Sequence, residues 1–229
     1  MTHAMVLAAG LGMRMRPITL TLPKPLVPVA GRTMLDRVLD HLDAIGAERR
    51  VINLHWLGET IRSHLDGQSD IVFSQEPELL ETGGGVAKAL PLLGSEPFFV
   101  CNADIIWTDG GEPALSRLAR TFDPARMDGL LLLSPVETAF GYEGQGDFHL
   151  GSEGRLTRRQ QGETTPLLFT GVQILHPRLF DGHPGGAFSL NVLYDKAIAA
   201  GRLFGLVHDG GWYHIGTPPA LAEAEALLG

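Results

Sequence analysis

A chain of 229 residues that is 44% hydrophobic, with a formal net charge of −8, is large enough for one α/β domain and too apolar to be disordered. The acidic balance excludes a sequence-independent nucleic-acid binder, which needs a broad basic surface. A single cysteine, Cys101, excludes an internal disulfide and a cysteine zinc cluster, and no run approaches the ~18 apolar residues of a membrane span. The apolar run Met5–Ala9 is too short for a signal peptide and lacks its basic flank, so a soluble cytoplasmic protein is predicted.

In chain order, short apolar runs alternate with helical patterns, the signature of a largely parallel sheet. Ala4–Ala8 reads as a strand that runs into a glycine loop. Met34, Leu35, Val38, Leu39, Leu42 and Ile45 recur at helical spacing, with Asp36, Arg37, Asp40 and Asp43 on the opposite face. Val51–Leu54 and Ile71–Ser74 are predicted strands, with Ile61–Leu65 in a helix between them. Gly85–Leu93 reads as a helix, Phe98–Cys101 as a central strand holding Cys101 as a buried inert thiol, and Leu115–Phe122 as a further helix. Gly129–Ser134 and Leu168–Leu175 are buried strands, and the polar segment 140–166 is expected to fold as hairpins over one edge of the sheet. Leu203–His208 and Trp212–Ile215 flank Asp209-Gly210-Gly211, which predicts a hairpin. Thr217 and Pro218 open a last helix. With no repeat or linker, residues 1–229 read as one domain.

Charge is distributed unevenly. The first 35 residues carry Arg14, Arg16, Lys24 and Arg32 and no acid. The loop Ala8-Ala9-Gly10-Leu11-Gly12-Met13 follows the first strand, and free loop N–H groups beside Arg and Lys suit a polyphosphate. Pro23 and Pro25 predict a stiff extended setting for Lys24. A dinucleotide fingerprint fails, because Met15 stands where its third glycine would fall and no acid closes the second strand; a P-loop pattern is absent. A nicotinamide oxidoreductase is therefore disfavoured. Leu80-Glu81-Thr82-Gly83-Gly84-Gly85 precedes a helix, whose bare N–H groups and positive dipole end face this loop. Asp104, at the carboxyl end of the strand 98–101, is placed to hold a metal.

The stretch Leu7–Pro17 followed by Pro23–Gly31 resembles the signature of sugar-1-phosphate nucleotidyltransferases, with the right spacing between its halves, and the likeness continues to Gly216-Thr217. The run 80–85 is similar to that of the compact uridylyltransferases acting on N-acetylmuramate α-1-phosphate in peptidoglycan recycling. The resemblance implies a three-layer α/β/α sandwich of Rossmann-like type with a mostly parallel mixed sheet, the segment 140–166 lying on the sugar side. It implies that Ala8, Ala9, Gly10, Gly12 and Met13 wrap the phosphates of an NTP, and that Thr82, Gly83 and Gly84 hold the base and ribose. Arg14 would then bind the departing pyrophosphate and Lys24 the α-phosphate, with Asn102, Asp147 and Thr170 touching the sugar. Asp104 would bind Mg²⁺, and His214 stands where the family has a second, aspartate ligand. A ligand role for His214 would favour Mn²⁺ or Co²⁺.

Two departures are visible. Ala103 replaces the family's glycine before the metal aspartate. No lysine lies between Lys88 and Lys196, so the usual sugar-phosphate lysine is absent or its contact passes to Arg158 or Arg159. The expected partners are an NTP and a sugar 1-phosphate, with no nucleic acid and no membrane, in a monomer or small homo-oligomer. Mannose-1-phosphate guanylyltransferase, another hexose-1-phosphate enzyme and a non-catalytic NDP-sugar-binding subunit are the alternatives; retention of both Arg14 and Lys24 speaks against the last.

Overall fold

The computed structural model describes residues 1–229. The N-terminal half contains β1 (His3–Leu7), a ribbon of β2 (Pro28–Val29) and β3 (Arg32–Thr33), α1 (Met34–Ala44), β4 (Arg49–Leu54), α2 (Gly58–His64), β5 (Ile71–Gln75), α3 (Glu81–Leu93), β6 (Phe98–Asn102), β7 (Ile105–Thr108) and α4 (Ala114–Thr121). The C-terminal half contains β8 (Gly129–Pro135), β9 (Phe148–Leu150), β10 (Leu156–Arg158), β11 (Leu167–Leu175), α5 (Asn191–Ala199), β12 (Leu203–Val207), β13 (Gly211–His214) and α6 (Pro218–Leu228).

Alternation along the strands decides the layers. Ala4, Val6, Ile52, Phe99 and Cys101 pack with α1 and α4 on one face, whereas Met5, Val51, Phe98 and Val100 pack with α3 and α5 on the other. Each fully buried Phe or Val contributes about 1.5–3 kcal/mol of transfer free energy, so a charged residue at Val100 would break the layer formed with α3 and α5. Thr33 starts α1 by accepting the Asp36 N–H at 3.0 Å, and Met34, Leu35, Val38, Leu39 and Leu42 then bury one stripe.

The main sheet has nine strands in the order β10-β9-β11-β6-β1-β4-β5, with β8 beside β11 and β12 beside β8. The segment β6-β1-β4-β5 is parallel, while β11 runs antiparallel to both β6 and β8. This is the expected three-layer α/β/α arrangement with a mostly parallel mixed sheet. Within 140–166, β9 and β10 do form a hairpin at the sheet edge.

Three expectations fail. The strands flanking Asp209-Gly210-Gly211 do not pair: β12 lies parallel to β8, and β13 pairs antiparallel with β7 in a separate two-stranded sheet. A good turn sequence lost to two longer-range partners. Helix α3 starts at Glu81 rather than Gly85, so its glycines are helical and packed. Lys24 sits in a 3₁₀ turn, Lys24–Leu26, between extended Pro23 and Val27, and is buried rather than held in an extended segment.

Candidate active site

The loop 8–12 leaves the carboxyl end of β1 and is fixed at both ends. The Ala8 N–H donates to Asn53 Oδ1 on β4 at 2.7 Å, and Gly12 has φ +59°, which an L side chain rarely adopts. The Thr19 hydroxyl donates to the Gly12 carbonyl at 2.7 Å, and the Trp56 indole N–H donates to the Thr19 carbonyl at 3.1 Å. Between these anchors, the N–H groups of Ala9, Gly10, Leu11 and Gly12 have no protein acceptor. They are donors kept for a ligand.

Facing this loop, a cavity of about 410 Å³ runs from Lys24 and Asp104 past Asn53 to Leu79, Glu81, Thr82 and Ser189. A second, of about 450 Å³, is lined by Arg14, Tyr142, Phe169, Gly171, Trp212 and His214. The two share Asn102 and Asp104. A third space of about 220 Å³ brings Met13 and Arg14 against Lys24 and Asp104. Asp104 therefore stands where all three meet.

Asp104 accepts from Lys24 Nζ at 2.6 Å, and the lysine side chain is only 8% exposed. Burial pushes the Asp104 carboxyl up, but the Lys24 charge and hydrogen bond, aided by His214, outweigh it and hold the group below the usual carboxylate range. Asn102 ends β6, and the pairing of His214 with Ile105 across β13 and β7 sets His214 near Asp104. Arg14 Nη2 approaches His214 Nε2 at 3.2 Å. Arginine only donates, so Nε2 is the acceptor and the imidazole is neutral. Burial, and then the Lys24 charge, lower its pKa; Asp104 opposes this and Arg14 adds to it.

Not every expected residue offers a free side chain to the cleft. Thr170 lines the second cavity but is buried, and its hydroxyl is engaged in the wall, donating to the Leu132 carbonyl at 2.8 Å. Asp147 lines neither large cavity; its Oδ2 accepts the Phe169 N–H at 2.8 Å and ties the hairpin to β11. Gly83 and Gly84 donate their N–H groups to the Phe188 carbonyl at 2.8 and 3.1 Å, and a Cβ at Gly84 would run into the Gly186 carbonyl. Their small size serves the 186–188 strap, and Thr82 alone of the three lines the cavity. Arg158 pairs with Asp195 and donates to Asn191 Oδ1 at 2.9 Å. Arg159 donates to Gly146 and Glu163 carbonyls at 3.0 and 2.9 Å. Neither arginine is free for a sugar phosphate. Cys101 is buried, with its thiol pushed up to about 12 by burial, as expected of an inert group.

Sequence reasoning missed Asn53, Glu76, Ser189, Tyr142 and Trp212. Glu76 is 1% exposed and accepts from Asn53 Nδ2 at 2.7 Å and from the Leu80 N–H at 3.1 Å, which fixes the orientation of the Asn53 amide. Single polar residues inside apolar runs gave no signal beyond their unusual setting.

Fold and site together define a nucleotidyltransferase: the chain belongs to the MobA-like NTP transferase domain family, which matches residues 4–130. Among curated proteins it is 41% identical to the N-acetylmuramate alpha-1-phosphate uridylyltransferase of Caulobacter vibrioides over 98% of this chain and 96% of that one. It is 40% identical to the protein of the same name in Neisseria meningitidis serogroup B, over 99% and 98%. Mannose-1-phosphate guanylyltransferase 1 of Arabidopsis thaliana is more distant, at 26% identity over 94% of this chain and 61% of its own length. A solved UDP-glucose pyrophosphorylase with UDP-glucose shares the fold at TM-score 0.83 and 18% identity, covering 100% of this chain and 98% of its own.

Proposed function

We propose that the chain transfers a uridylyl group from UTP to N-acetylmuramate α-1-phosphate, giving UDP-N-acetylmuramate and pyrophosphate. The observation that carries this reading is the pair of cavities meeting at Asn102 and Asp104, one beside Lys24 and a loop of unpaired N–H groups and the other beside Arg14. The nearly full-length identity to two uridylyltransferases selects the nucleotide and the sugar.

A sugar-phosphate oxygen attacks the α-phosphorus, and the bond from that phosphorus to the bridging oxygen of pyrophosphate breaks. The attacking phosphate is already ionised at neutral pH, so no protein base is needed. Ala9–Gly12 cradle the triphosphate, Lys24 neutralises charge growing at the α-phosphate, and Arg14 receives the pyrophosphate. Asn102, at the junction of the cavities, contacts the sugar. With Arg158 and Arg159 engaged elsewhere, Arg14 and Lys24 also replace the absent sugar-phosphate lysine.

A divalent metal accompanies this chemistry in the family. The residues fit one: Asp104 offers a hard oxygen at the junction, although no cluster of three or more His, Cys, Asp or Glu side chains is present. Mg²⁺ is commonly held by one or two carboxylates with substrate phosphates and water, so Asp104 would hold it, with His214 beside it once Arg14 releases Nε2. The bound ion would neutralise phosphate charge. The test is a grid of five NTPs against several sugar 1-phosphates with Mg²⁺, Mn²⁺ or Co²⁺, read as released pyrophosphate. UTP with N-acetylmuramate α-1-phosphate should be turned over fastest. A faster reaction of GTP with mannose 1-phosphate would replace this reading, and no turnover with any pair would favour a binding subunit.

A further inference from the structure

Glu81 has φ +57° in a conformation usually left to glycine, and it lines the nucleotide cavity. Its frame is pinned on both sides. The Leu80 N–H donates to Glu76 Oε2 at 3.1 Å, and the Leu80 carbonyl accepts from Phe188 N–H at 3.1 Å. Thr82 Oγ1 accepts the Leu190 N–H at 3.0 Å. Between these fixed neighbours Glu81 is exposed, in contrast to buried Glu76, and its carboxylate forms no ion pair. Strained residues persist only where surrounding structure over-determines them, and they cluster at ligand sites.

We propose that Glu81 reads the ribose: its carboxylate accepts hydrogen bonds from the 2′- and 3′-hydroxyls of the nucleotide. This rests on the uridine-nucleotide reading above. An ionised carboxylate only accepts, so it needs donors. The triphosphate offers none and repels it. The uracil edge offers one N3–H flanked by two carbonyl oxygens, which also repel it. The ribose diol offers two O–H donors side by side, the group that an acidic residue grips in dinucleotide folds. A glutamate in a backbone conformation suited to glycine thus supplies an acceptor that glycine could not.

The experiment is equilibrium binding of UTP and 2′-deoxy-UTP to wild type, Glu81→Gly and Glu81→Gln, with thermal melts of each. Glycine adopts φ +57° freely, so Glu81→Gly should melt at or above wild type. It should bind UTP roughly 10- to 100-fold more weakly, the usual loss of hydrogen bonds to a charged group, and 2′-deoxy-UTP, which keeps only the 3′-hydroxyl, by a smaller factor. Glu81→Gln should keep part of the preference. Equal weakening of both nucleotides, or an unchanged UTP to 2′-deoxy-UTP ratio, overturns the ribose assignment while leaving the uridylyltransferase reading intact. Tight GTP binding lost in Glu81→Gly, with no change for UTP, would assign the carboxylate to a guanine edge instead. Failure of wild type to bind UTP at all would overturn both readings together.

Discussion

The two cavities on either side of Asp104 are built in different ways. The nucleotide cavity draws on a loop at the end of β1, the adjoining Lys24 turn and the start of α3, and its ligand groups are largely main-chain N–H. The second cavity gathers Arg14, the 141–144 loop, a bulged stretch of β11 and the end of β13, and its groups are mostly side chains. Backbone donors fixed by neighbouring bonds make a rigid cradle that tolerates substitution outside its glycines. Side chains brought together by strand pairings make the second cavity depend on the identity of each residue that lines it.

The largest effects should come where the cavities touch. Lys24→Met should lower kcat on the order of 10²–10³-fold, as for loss of one charge-stabilising donor, while the protein still folds but melts lower because Asp104 loses its buried partner. Arg14→Ala should cost similarly and, in the reverse direction, raise the KM for pyrophosphate. Steady-state kinetics in both directions checks this; activities within threefold of wild type would remove both residues from the reaction. A smaller effect separates wall from ligand. Thr170→Val should lose about 1 kcal/mol of stability with its bond to Leu132, yet leave the KM for the sugar phosphate near wild type. A large rise in that KM with no change in melting would restore Thr170 as a sugar contact.

The smallest effect on activity should lie away from both cavities. Asp128 accepts from Arg178 Nε at 2.6 Å and Arg202 Nε at 2.8 Å. Burial pushes its carboxyl up, but the two guanidiniums outweigh this and hold it below the usual range. A depressed native pKa means that its stabilisation is present above the unfolded value, about 3.9, and is lost as pH falls through the native one. Asp128→Asn should therefore lower the melting temperature at neutral pH, with the gap closing in acid, and leave pyrophosphate release unchanged.

The same contrast explains what the sequence made legible. The cradle was legible because its chemistry is local: glycines at 10 and 12, prolines at 23 and 25 and two basic side chains lie within 20 residues. The layers were legible from alternation along β1 and β6. The destination of a lone polar side chain was not, because Thr170, Asp147, Asn53 and Glu76 are defined by partners 22 to 45 residues away. Nor was the pairing of β13 with β7, which brings His214 beside Asp104, since a favourable turn at 209–211 pointed to a hairpin. Long-range pairing overrode local turn chemistry there.

The central claim, that one site at Lys24 and Asp104 joins a nucleotide cavity to a sugar cavity, is tested most directly by a crystal structure with a non-hydrolysable UTP analogue and N-acetylmuramate α-1-phosphate. The account predicts the triphosphate on the Ala9–Gly12 N–H groups, the α-phosphate within hydrogen-bond distance of Lys24 Nζ, and the sugar phosphate entering from the Arg14 side. A nucleotide bound away from the 8–12 loop, or both ligands in the same cavity, would contradict it.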